Sequence, residues 1–414
     1  MWAKEEYEVP ESQFNDRIER VRAFAEEHNL GAVAIYSAPR LHQWTQTGHV
    51  GYLTNWSNLD RVTDTVAVVP RKGELVLLVP GIPYMLQQIE EVSWIRDVRM
   101  VSSPDPRAIA GAYDESVSGK TAEGGPNTFG GEICAILEAA SCADQPIAIS
   151  GLEGMSALIH RDITTALKGR IIDVPDIVAD LRAIKSPEEV AIMRQVAHIS
   201  DRCYETMMDV LDDGILGYEL AAEMDRTAKR LGADMVYHTM HSAQGGDLEA
   251  GKLSVKSHDL PLRRGDYINL NSYIVHKGYW IQGDRAGTIG DTLESTAGPA
   301  LRTNLEIQDE ILSHIKPGLA IGEMVDLAIR RADEHGYDIQ GGRIGHGQGL
   351  DYSEKPFLMA DSTEPLTPGM VFVLHVVVSP RGSDILLNPI ADLCHVTEDG
   401  VEVLNKFHRG IFHA

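Results

Sequence analysis

Four side chains in the last third of the sequence have types and settings suited to proton transfer or metal binding. They are Asp284, His346, His375 and Glu354. Asp284 lies on an expected hairpin. Residues 267–275 alternate like a strand, Lys277-Gly278 supplies a tight turn, and 279–289 return. Asn271 and Asp284 then fall on paired strands where their side chains can share a face. The plainer alternative is a buried amide at Asn271 and an ion pair between Asp284 and adjacent Arg285. His346 sits in Gly345-His346-Gly347-Gln348-Gly349. Flanking glycines let backbone approach a ligand closely, though a single His of this kind also serves structure. His375 interrupts an apolar run, 371–378, entered through the turn Pro368-Gly369-Met370. An imidazole inside such a strand needs a partner or a task. The last expected strand, 389–397, carries Asp392 and ends in Glu398-Asp399-Gly400.

These residues need a scaffold. Residues 11–28 show helical spacing and are followed by Gly31. Strand-like runs follow at 32–36, 65–69 and 75–79, and helical and strand segments alternate to about residue 174. That alternation predicts an α/β domain over 1–180. The stretch 102–131, rich in Gly, Ser, Pro and Asp, predicts a long loop. The boundary is marked by Lys185-Ser186-Pro187-Glu188-Glu189, a capping box with Pro at the first helical position. Helices are expected from there to about Asp213, then over 218–231, 303–315 and 321–335. Strands lie between and after these pairs. The order predicts an α+β domain over 181–414, its sheet covered on one face.

The chain has 414 residues, 43% hydrophobic, with a net charge of −24, so two soluble domains are expected. Such acidity repels nucleic acid and anionic membranes, and neither is an expected partner. Four cysteines without CxxC spacing argue against a disulfide framework or a zinc ribbon. The charged opening residues carry no apolar signal segment, and no apolar run reaches membrane-spanning length. The expected setting is cytoplasmic.

Taken in order, residues 265–290, 345–356 and 368–400 resemble the active-site strands of the pita-bread family: methionine aminopeptidase, aminopeptidase P, prolidase and creatinase. The resemblance implies a creatinase-like α/β N-terminal domain and an α+β pita-bread catalytic domain. It also implies five positions that, in the metallopeptidases, hold two metal ions through Asp, Asp, His, Glu and Glu. In this chain those positions carry Asn271, Asp284, His346, His375 and Ala391. The family's second His falls on Ser353, with Glu354 and Pro356 kept after it. A dinuclear site needs several carboxylates to offset and bridge two dications, and Asn271 and Ala391 remove two of them, the bridging oxygen donor among them.

The resemblance therefore implies a hydrolase of a small nitrogen-containing molecule, cleaving the C–N bond of an amide, lactam or amidine without metal, as creatinase does. His346, His375, Asp284 and Glu354 are the expected catalytic groups. Asn271, Ser353, His241 and Arg61 are the expected substrate contacts. His241 stands in for a creatinase His that has no counterpart here. Arg61 is placed to clamp a substrate carboxylate within a homodimer. The alternatives are a mononuclear Fe, Zn or Mn hydrolase or Xaa-Pro-type peptidase, with Asp284, His346 and His375 as ligands, a lyase acting on a small zwitterion, and a non-catalytic binding domain.

Overall fold

The computed structural model describes residues 4, 7–38, 48–56, 64–80, 83–103, 125, 127–243, 245, 261–290, 297–383, 385–387 and 390–414. It divides into two compact units, Met1–Arg182 and Ala183–Ala414. Among the described residues no helix is long and apolar enough to cross a membrane. Arg61 lies outside the described residues, as does 104–124 of the expected loop.

Among its described residues the first unit holds five strands: β1 Ala32–Ser37, β2 Thr65–Pro70, β3 Val76–Pro80, β4 Asp97–Val101 and β5 Ile147–Ser150. They form a mixed sheet in the order β4-β3-β2-β1-β5. Every residue of β1, β2 and β3 is buried, which explains their continuous apolar sequences. The helices are α1 Glu11–Glu27, α2 Gly48–Thr54, α3 Pro83–Val92, α4 Phe129–Ala139, α5 Ala157–Leu167 and α6 Ile177–Ala183. Phe129, Ile133 and Leu137 of α4 join Ile159 and Ile163 of α5 in a core against Ala34, Val66 and Leu78.

The second unit opens with α7 Pro187–Val210, and the capping box forms as expected. Ser186 Oγ accepts from the Glu189 N–H at 3.2 Å, and Glu189 Oε2 accepts from the Ser186 N–H at 3.0 Å. Then come α8 Gly217–Arg230, β6 Met235–Ala243, β7 Tyr267–His276, β8 Tyr279–Thr288, α9 Ala297–His314, α10 Ile321–Glu334, β9 Tyr337–Ile339 and β10 Arg343–Gly347. The remaining strands are β11 Glu354–Met359, β12 Val371–Leu374, β13 Val378–Pro380, β14 Ile390–Val396, β15 Val401–Val403 and β16 Phe412–His413. The main sheet runs β11-β10-β12-β14-β8-β7-β6, with β15 on β14 and β16 on β8. Lys277 and Gly278 both take positive φ, 51° and 83°, the two-residue turn whose twist suits a hairpin. Phe372, Leu374, Cys394 and Val396 turn to one face, where Ile307, Ile311, Met324 and Val325 of α9 and α10 pack on them.

One expected strand does not form as a unit. The run 371–378 breaks at His375: β12 ends at Leu374, and β13 pairs with β9 in a separate two-stranded sheet. The cause is a change of partners. The His375 N–H still donates to the Ile344 carbonyl at 2.9 Å. The Val376 carbonyl then accepts from Asn304 of α9 at 2.5 Å, and Val378 pairs with Leu387. Uniform hydrophobicity gave no sign of this switch.

Arg285, next to Asp284 on β8, points to the opposite face. Its Nη2 donates to Asp392 Oδ1 at 2.8 Å, and Arg409 Nε donates to Asp392 Oδ2 at 2.6 Å. Arg285 is 0% and Asp392 1% exposed. The adjacent-pair alternative for Asp284 and Arg285 is thereby replaced by a longer-range one. Asp392→Asn leaves a buried guanidinium without its counter-charge, and a loss of about 3 kcal/mol or more in chemical denaturation is expected. A change below about 0.5 kcal/mol would show that this cluster does not hold the sheet.

Candidate active site

Strand register decides which side chains meet. Directly paired residues share a face, and that face alternates along each strand. Asn271 pairs with Asp284, and Asp284 with Ala391. Leu393, two residues on from Ala391, pairs with Val373, and Val373 with His346. Thr239 pairs with Asn271 at the other end. Hence Asn271, Asp284, Ala391 and His346 all face the same side, opposite the Arg285 cluster. His241 joins them as the partner of Asn269.

Asp284 is fully buried. Its Oδ2 accepts from Gln282 Nε2 at 3.2 Å and from the Asn271 amide, turned to face it, also at 3.2 Å. His346 is 0% exposed, and its Nδ1–H donates to the Gly347 carbonyl at 3.0 Å. A carbonyl only accepts, so Nε2 carries the lone pair. That Nε2 is buried and has no hydrogen-bond partner among the described residues. The same holds for His375 Nε2, whose ring lies 5.4 Å from that of His346, edge to face. Burial pushes the His346 pKa down to about 4. Burial, then the neighbouring His346 and Arg343, holds His375 well below its ordinary value. Burial also lowers His241, a half-buried residue whose Nδ1 lacks a partner among the described residues. Both central imidazoles are neutral at pH 7.

Glu354 departs from expectation. Its Oε1 accepts from Lys185 Nζ at 2.7 Å, with the two side chains 7% and 1% exposed. Its Oε2 accepts from the Asp351 N–H at 3.2 Å. A Cβ on Gly349 would lie 2.4 Å from Oε1, so the glycine makes room for the carboxylate. Glu354 thus ties the 349–354 loop to the residue before the α7 capping box, an engagement the sequence reading did not foresee. Ser353 lies half-buried just before it. Sequence reading missed Lys185 because its partner is 169 residues away. It also missed Gln282, although it stands two positions before Asp284 and so shares its face.

A two-ion centre does not fit these residues. Asp284 faces amide N–H donors, and Ala391 offers no oxygen where a bridging carboxylate would stand. Among the described residues, one donor trio lies within 4.8 Å: His49, Glu153 and Asp176, in the first unit. Arg182 Nη1 donates to His49 Nδ1 at 2.5 Å, so Nε2 carries a proton toward Asp176, 3.4 Å away. Asp176 in turn accepts from the N–H groups of Gly151 and Ala179. His49 and Asp176 thus belong to a structural hydrogen-bond network.

Two outcomes follow. Above about pH 6.5 His346 is neutral in both folded and unfolded chains. Below it the unfolded chain binds a proton that the folded site refuses until about pH 4. Stability should fall as pH drops through that window, by about 3 kcal/mol from His346 alone. Urea midpoints for wild type and His346→Gln between pH 7.5 and 4.5 check this; parallel curves contradict it. Glu354→Gln alone strands the Lys185 charge and should cost about 3–5 kcal/mol, much of it recovered in Lys185→Met/Glu354→Gln. A double-mutant cycle showing simple additivity would refute that coupling.

Residues 191–401, just over half of the chain, match metallopeptidase family M24. An uncharacterized peptidase of Staphylococcus epidermidis is 27% identical over 267 residues, 62% of this chain and 72% of that protein. Among solved structures, a prolidase from Pyrococcus horikoshii superposes with a TM-score of 0.74 at 19% identity, covering 96% of this chain and all of that one. The N-terminal domain of the FACT complex subunit SPT16 from chickpea superposes at 0.67 and 17% identity, over 96% of this chain and 97% of that one. Likeness at these identities establishes the pita-bread architecture and leaves the chemistry to the side chains. By its own sequence match and by that architecture, the chain belongs to metallopeptidase family M24, a family of hydrolases.

Proposed function

We propose that this protein hydrolyses the C–N bond of a small amide-type molecule, with His346 and His375 as its working bases. One observation carries the reading: two buried imidazole Nε2 atoms without hydrogen-bond partners among the described residues, on or beside the sheet face that carries Asp284. His346 is held by Gly347 with its lone pair free to take a proton from water. The water oxygen adds to the carbonyl carbon, the C–N bond breaks, and the proton passes to the departing nitrogen. Asp284, fixed by two amides, supplies negative charge beside the site. The acid limb of such a reaction follows His346 and therefore lies well below pH 6.5.

A second reading has its own support. The relatives named above are a peptidase and a prolidase, which favours a peptide bond over a creatinase-like amidine. M24 enzymes typically work with two metal ions. A single divalent ion would draw on Asp284, His346 and His375, whose donor atoms do not all lie within 4.8 Å of one another in this structure and would have to draw closer, and when bound it would polarise the carbonyl. The expected creatinase-like character draws no support from these relatives.

A panel of Xaa-Pro dipeptides, small amides and lactams, assayed with and without chelator, separates the two. Turnover that survives chelation, and falls at least ~100-fold in His346→Ala and His375→Ala, is the expected result. Turnover abolished by chelator and restored by one divalent ion assigns the metal-peptidase reading instead. Activity unchanged in both alanine variants would remove the imidazoles from the mechanism.

A further inference from the structure

An aromatic wall continues the face that holds Asp284. Tyr237 and Tyr273 are cross-strand partners whose rings stack 4.6 Å apart. Tyr273 lies 5.6 Å from Tyr352, which in turn lies 6.0 Å from Trp280 and 5.0 Å from His346. The Tyr352 hydroxyl donates to Gln282 Oε1 at 2.6 Å, and Gln282 Nε2 donates to Asp284 Oδ2. A single amide therefore links the ring beside His346 to the buried carboxylate. Burial and the Asp284 charge both raise the pKa of Tyr273 and of Tyr352, so each is a neutral phenol. The Tyr237 hydroxyl is buried and has no hydrogen-bond partner among the described residues. A hydroxyl so placed is able to donate to a ligand oxygen.

Such a wall treats charge selectively. A neutral ligand gains apolar contact from the rings. A cation of the same size gains that contact plus attraction to the ring faces and to Asp284. We propose that Tyr352, Tyr273 and Trp280, with Asp284 beside them, form a subsite for a compact alkylammonium or similar onium group of the substrate. The Tyr237 hydroxyl then donates to an oxygen elsewhere in the same molecule. The subsite rests on this face being the substrate site, as under the proposed hydrolase reading, but not on the reaction itself.

Tetramethylammonium chloride and tert-butanol are matched probes, one charged and one neutral. Calorimetric titration of the intact protein should show saturable binding of the cation, at least tenfold tighter than of the alcohol. Tyr352→Leu should weaken cation binding at least fivefold, whereas Tyr352→Phe, which keeps the ring, should stay within twofold. Asp284→Asn should also weaken it at least fivefold, which keeps the test open should the leucine variant fail to fold. Equal affinity for both probes, or a leucine variant that folds and binds like wild type, overturns the subsite. Cation binding without turnover of any C–N substrate would sink the hydrolase reading and leave the subsite standing. Turnover without charge discrimination would do the reverse.

Discussion

The register of one hairpin governs the site. A slip of a single residue between β7 and β8 would turn Asp284 to the helix-covered face and bring Arg285 forward. Two features oppose that slip. The Lys277-Gly278 turn fixes the pairing at the tip, because both residues adopt positive φ without lengthening the loop. On the other face, Arg285 is anchored by Asp392 of β14, which also binds Arg409. The front of the sheet is thus specified partly by charges on its back.

Those charges are segregated by function. Arg285, Asp392 and Arg409 form a buried cluster behind the sheet, and Lys185 with Glu354 forms another at the loop between β10 and β11. Each contains its own compensation, as burial requires. The imidazoles on the front are kept neutral by the same burial. The scaffold thus keeps its buried ion pairs apart from its buried neutral imidazoles.

Much of this was legible in the sequence, for local reasons. The capping box at Ser186 and the hairpin at Lys277-Gly278 depend on residues within a few positions of one another, and both form where expected. The face shared by Asn271 and Asp284 followed from period-two alternation. What escaped were long-range events. The break at His375 depends on Asn304 and Leu387 taking over its neighbours' backbone groups. The role of Glu354 depends on a lysine in a distant segment. The aromatic wall assembles from β6, β7, β8 and the loop before β11, so no single window displays it.

Charge balance connects the altered ligand positions to what the site can hold. The family pattern sets four carboxylates against two dications. Asn271, His375 and Ala391 leave Asp284 as the one carboxylate among the five positions. Two dications there would be gravely undercompensated in a buried setting. The surrounding residues suit the smaller charge. Amides from Asn271 and Gln282 now address the carboxylate, and Tyr352 orients the second of them. Asn271 is the one replaced position that itself offers an amide to Asp284. A site balanced in this way suits at most a modest positive charge, carried by a ligand or a single ion, next to two neutral imidazoles.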